Sequence, residues 1–113
     1  MFLELQLQQN FQLGLGVAKR YTMKGLTQGQ ANGKSYINGL TEIWVKEYQY
    51  STIKKQIGFL KNELKIAKLA IKETKEDLEF AYGEEKKYYA EELEKFLMAE
   101  KILAEMVGVM VGA

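Results

Sequence analysis

From Tyr50 to Ala81, apolar or small side chains recur at alternating spacings of three and four: Tyr50, Ile53, Ile57, Leu60, Leu64, Ala67, Ile71, Thr74, Leu78 and Ala81. That spacing puts them on one stripe of an α-helix and repeats every seven residues, the signature of a helix that pairs with another helix along its length. Tyr36 and Ile43 lie on the same seven-residue register further back. No proline occurs anywhere, so nothing forbids a long helix. Gly39 weakens any earlier start, and the pattern predicts one helix over 41–82, about 63 Å long at 1.5 Å per residue.

A second apolar series follows Gly83, at Tyr89, Leu93, Phe96, Leu103, Val107 and Met110, and predicts a helix over about 84–107. Leu78 and Leu93 are fifteen residues apart where two heptads need fourteen, so the phase slips by one residue around Gly83. Two structures reconcile the slip. In a helical hairpin, Gly83 takes the left-handed position after the first helix, and Glu84 and Glu85 begin the second. Lys87 then comes near Glu79, Glu91 near Lys75 and Glu94 near Lys72. In a continuous coiled coil, Gly83 is a skip in the seam. The apolar end, 102–113, is expected to fray or to dock into a neighbour.

Ahead of the helices lie two less regular stretches. Over 1–18, Leu3, Leu5 and Leu7, then Phe11, Leu13, Leu15 and Val17, alternate with polar or small residues, which favours a strand-like arm. Leu3, Leu7, Phe11, Gly14 and Ala18 also fit one helix face, so a helical arm competes. Over 19–40, glycines at 25, 29 and 33 among Gln and Asn read as a connector. The chain thus divides into an apolar arm (1–18), a Gly/Gln-rich connector (19–40) and a helical hairpin or coiled-coil domain (41–113), a mainly α fold.

Charge is polarised along the helices. Residues 51–72 hold six lysines and one glutamate, whereas 73–94 hold nine acids and three lysines. A parallel, unstaggered pair of chains sets like charge beside like; an antiparallel or staggered pair matches opposite signs.

Chemistry is hard to assemble from this composition. The absence of Cys and His removes the thiolate nucleophile and the commonest metal ligand and general base. The segment Gly29-Gln30-Ala31-Asn32-Gly33-Lys34-Ser35 resembles a phosphate-binding loop, but that pattern needs glycine at 28, where Gln28 stands. The acids lie mostly off the apolar stripes, as solvated faces do. The expectation is therefore no enzyme, no catalytic or metal-binding residues and no cofactor. The lysine run is followed by an acidic run and only one arginine, Arg20, occurs, so nucleic acid is not the expected partner.

Proteins are the expected partners, other copies of the chain first. The expected oligomer seam is Tyr50, Ile53, Ile57, Leu60, Leu64, Ala67, Ile71, Leu78, Leu93, Phe96, Leu103 and Val107. Trp44, Tyr48, Tyr82 and Tyr88 are the candidate contact surface, since Tyr and Trp are favoured at interfaces. A structural or assembly protein forming a helical homo-oligomer accommodates these features best. Small phage-type virion components share this style of sequence, an analogy only. The alternatives are a small binding module or inhibitor acting as a dimer on a larger protein, and a peripheral membrane protein using its apolar termini. No signal peptide or membrane span is visible, so synthesis in the cytoplasm is expected, with assembly into a particle to follow.

Overall fold

The computed structural model describes residues 2–112, with side chains described from Gln9 onward. Four helices follow one another: α1 (Phe2–Arg20), α2 (Gln28–Tyr48), α3 (Ile53–Glu79) and α4 (Glu84–Gly112).

The hairpin about Gly83 forms. Gly83 has φ +56°, in the left-handed region that only glycine occupies without strain. Glu84 and Glu85 then open α4, where carboxylates suit exposed amide N–H groups. The chain reverses here, so the two seams need not share a phase, and the one-residue slip is accounted for. The first arm is shorter than the expected 41–82. It begins at Ile53, because Thr52 caps the helix by accepting from the Lys55 backbone N–H at 3.2 Å. Residues 49–52 turn the chain back, and buried groups hold this turn. Gln56 Nε2 donates to the Tyr48 carbonyl at 2.8 Å, and Trp44 Nε1 donates to the Gln56 carbonyl at 3.1 Å.

Much of the expected connector is also helical. Only 21–27 is non-helical, with Gly25 at φ +78°. Thr27 starts α2 with a capping box: its hydroxyl accepts from the Gln30 backbone N–H, and the Gln30 side chain accepts from Thr27 N–H. Gly29 and Gly33 are buried against α4. A Cβ on Gly29 would stand 2.7 Å from the Glu91 carbonyl oxygen, and one on Gly33 2.5 Å from that of Lys95. Of the recurring glycines, Gly29 and Gly33 thus mark a close helix–helix approach, and Gly25 a turn.

The strand-favouring reading of the N-terminal arm gives way to helix α1. Leu3, Leu5 and Leu7, the first part of the alternation, have side chains outside the described residues. Phe11, Leu15 and Ala18 are buried at helical spacing. Gly14 lies between them and admits Trp44 and Met110, to which a Cβ would come within 2.9 and 3.0 Å.

α4 touches all three other helices, which touch each other little. Its C-terminal half supplies Met98, Ala99, Ile102, Leu103, Met106 and Met110 to the core. The stretch expected to fray or to dock into a neighbour therefore lies at the centre of the chain's own bundle, as suits a helix apolar on most sides. α2 runs parallel to α4, since Gly29 meets Glu91 and Gly33 meets Lys95. α1 runs antiparallel to it, with Tyr21 beside Glu105 and Gly14 beside Met110. The far end of the α3–α4 hairpin reaches past the start of α2: from Lys75 to Tyr88, only Leu78 and Ala81 are even partly covered. The molecule measures 58 × 27 × 23 Å with a radius of gyration of 15.7 Å, above the roughly 13 Å of a compact chain this long.

Candidate interaction surfaces

The heptad seam is largely covered within one chain. Leu60, Ala67, Ile71 and Leu103 are buried. Ile53, Ile57, Leu64, Leu78, Leu93, Phe96 and Val107 are half-buried. Tyr50 drops out, at 90% exposure in the turn between α2 and α3. Of the candidate contact aromatics, Trp44 is wholly buried, its ring 4.2 Å from that of Phe11, and presents no surface to a partner. Tyr48 is half-buried and stacked on Phe59 at 5.0 Å. Tyr82 and Tyr88 are exposed.

Those two tyrosines belong to the hairpin tip. Phe80 is 76% exposed and Tyr82 86% exposed, on either side of Ala81. Tyr88 leans edge-on against Tyr89 at 5.3 Å. Large rings held in water at the end of a two-helix arm suit contact with another surface. Acids surround them: Glu76, Asp77, Glu79, Glu84 and Glu85 are all exposed.

The second surface is the uncovered side of α3, which runs from a lysine-lined flank to the stripe opposite α4 that holds Ile66 and Leu69. Lys54, Lys61, Lys65, Lys68, Lys72 and Lys75 lie on one row, interrupted at Gly58, and all are exposed. The row spans about 32 Å. Among the described residues the ion pairs are Arg20–Glu105 and Lys95–Glu92, so none of these lysines is paired; nor do the pairs expected across the hairpin close. Beside the row, Ile66 and Leu69 are 46% and 55% exposed. Gly58 has open space where a side chain would stand. A shallow groove of about 620 Å³ opens there, its lining including Tyr48, Ser51, Lys55, Gly58 and Phe59.

Buried polar groups elsewhere serve the fold. Lys34 is buried, and its Nζ donates to the Ala18 carbonyl at 2.6 Å, near the end of α1, and to Asn38 Oδ1 at 2.7 Å. Burial pushes its pKa below the usual lysine value. Tyr21 donates to Glu105 Oε1 at 2.5 Å; burial first, then Glu105 as acceptor and as a negative charge, pushes the phenol up to about 12. The Tyr36 phenol is likewise raised by burial and then by Glu63. The stretch that resembled a phosphate-binding loop is the first part of α2, with Gly29, Gly33 and Lys34 turned into the bundle. Among the described residues no three acids converge as metal ligands would. No described helix is long and apolar enough to cross a membrane.

Comparison with family models, with curated proteins and with solved structures finds no match to this chain.

Proposed function

We propose that this chain is a non-enzymatic structural protein that works by self-association, a helical building block of a larger assembly such as a virion-type particle. One observation carries the reading: the α3–α4 hairpin leaves one long helix face and an aromatic tip uncovered. Monomeric proteins rarely leave large apolar side chains exposed in pairs, as Ile66 with Leu69 on α3 and Phe80 with Tyr82 at the tip, unless they meet something. Two surfaces at different places on an elongated body also suit a repeating unit, which needs more than one contact to grow.

A second reading, a small module acting as a dimer on one larger protein, is favoured by the tip alone. Its rings and acids form a compact epitope at the end of an arm.

Light scattering with solution X-ray scattering over a concentration series separates the two. Growth beyond a dimer supports the structural protein. A particle that stops at about 26 kDa, twice the 13.0 kDa chain, supports the dimeric module. A constant 13.0 kDa at every concentration overturns both.

A further inference from the structure

The outer stripe of α3 is self-complementary about a point between Ala67 and Lys68, and from this we infer that two copies pair antiparallel along α3. The inference rests on the reading that the chain self-associates, and names the partner as a second copy and the surface as this stripe.

The stripe repeats every three and four residues, and reversing it about that point returns the same positions. Ile66 of one copy then faces Leu69 of the other, at the two-fold axis. Outward on each side, Asn62 faces Glu73 and Phe59 faces Glu76. At the ends, Lys55 faces Phe80. Apolar groups therefore meet at the centre, Asn62 can donate to the Glu73 carboxylate beyond it, and the Lys55 ammonium meets the Phe80 ring at the ends, while Phe59 against Glu76 is a mismatch. The ends match in shape as well: Phe80, 76% exposed, arrives beside the groove left open at Gly58, where it gains contact with Phe59 and the lysine stem of Lys55.

Charge selects the direction. Residues 53–66 carry four lysines and one glutamate, and the residues they meet, 69–82, carry four acids and two lysines. Antiparallel pairing sets net positive against net negative twice, whereas parallel pairing sets like against like in both halves. The arrangement is isologous, so each favourable contact occurs twice. Two contacts are adverse: Phe59 meets the Glu76 carboxylate, and Lys65 and Lys72 of the two copies approach on the flank. From Lys55 to Phe80 the stripe is about 38 Å long, and packed helices lie about 8–10 Å apart. The contact is therefore at the small end of specific interfaces, and the pair is reversible, with a Kd on the order of micromolar.

Cysteine pairing tests the register, since the chain has no cysteine of its own. Asn62→Cys and Glu73→Cys variants are mixed and oxidised, with helicity and melting checked first. In the inferred register positions 62 and 73 are opposite, while each lies about 16 Å along the helix from its own copy. A disulfide needs Cα atoms within about 7 Å. The mixture is expected to cross-link and each variant alone is not; cross-linking of either variant alone, or none in the mixture, overturns the inference. Sedimentation velocity supplies an independent readout. Leu69→Lys, a substitution at an exposed site, is expected to weaken association by about 100-fold, because it acts twice near the axis. Lys72→Glu is expected to tighten it several-fold by converting the adverse contact with Lys65. If the unaltered chain associates but neither variant changes its Kd, the pairing is wrong while self-association stands. If the unaltered chain is monomeric throughout, the underlying reading fails as well. If it is monomeric alone yet binds a short DNA duplex through the lysine row, the face belongs to an anionic polymer and the pairing is overturned.

Discussion

Replacing Gly33 by alanine should destabilise the bundle, while the same replacement at Gly39, six residues along the same helix, should stabilise it. A methyl on Gly33 would sit 2.5 Å from the Lys95 carbonyl oxygen and 2.8 Å from Met98 Cβ, against 3.4 Å or more for ordinary contact. Both obstacles are held on α4 and neither is the far end of a flexible chain. To make room, α2 must move off α4 by nearly 1 Å, thinning contacts along the whole interface. Overpacking of this kind costs about 1–3 kcal/mol. Alanine recovers about 0.8–1.0 kcal/mol of helix propensity, leaving a net loss of up to about 2 kcal/mol. At Gly39 a methyl meets nothing within 4 Å, so only the propensity gain remains, about 0.5–1 kcal/mol. With an unfolding entropy of about 2.1 cal/mol/K per residue, 1 kcal/mol moves the melting temperature by about 4 °C in a chain of this length. Thermal and urea unfolding of the two variants should therefore give Tm shifts of opposite sign, a fall of up to about 8 °C for Gly33→Ala and a rise of up to about 4 °C for Gly39→Ala. A Gly33→Ala protein as stable as Gly39→Ala would refute the close approach of α2 and α4.

Three further outcomes are expected. Thr52→Ala removes the cap that separates α3 from α2 and should lower unfolding free energy by about 1 kcal/mol in urea titrations. Ile102→Ala should cost about 2–5 kcal/mol, because Ile102 is wholly buried where α4 meets the other helices, with loss of cooperativity by circular dichroism as the readout. Tyr21→Phe deletes the hydrogen bond to Glu105 and should lose about 1 kcal/mol at pH 7. The folded phenol titrates at about 12 against 10.0 unfolded, so its contribution is full below pH 10 and is lost as pH rises towards 12. The stability gap between the two proteins should therefore narrow over that range.

A break in phase at Gly83 was legible in the sequence from the one-residue slip between the two apolar stripes, but the slip fits a hairpin and a continuous helix alike; the left-handed backbone at Gly83, φ +56°, decides for the hairpin. The break at 49–52 was not, because Tyr50 and Ile53 happen to keep the heptad phase across a turn; Ser51-Thr52 ahead of Ile53 was the available cap signal. Glycines at 29 and 33 fit a loop and a tight helix crossing equally well by spacing alone. Thr27-x-x-Gln30, a capping box, was the feature that favours helix. The arm was ambiguous because Leu13, Leu15 and Val17 obey period two while Phe11, Leu15 and Ala18 obey the helical period. Burial of Gly14 against Trp44 decided between them, and only the fold could supply that. Trp44 was chosen as a contact residue for its type. Its place opposite α1 and the Gln56 carbonyl depends on three helices meeting and leaves no local trace. The outer stripe of α3 was hidden by the stronger inner seam; once α4 covers that seam, the opposite face becomes readable.

The central claim is that the heptad seam closes within one chain, leaving association to the outer face of α3. Thermal unfolding followed by far-ultraviolet circular dichroism over a hundredfold dilution tests this most directly. A seam satisfied internally predicts that helicity persists in the dilute monomer and that the melting temperature moves by only a few degrees. Loss of helicity on dilution, with a steep fall in melting temperature, would show that the seam needs a second chain and would contradict the account.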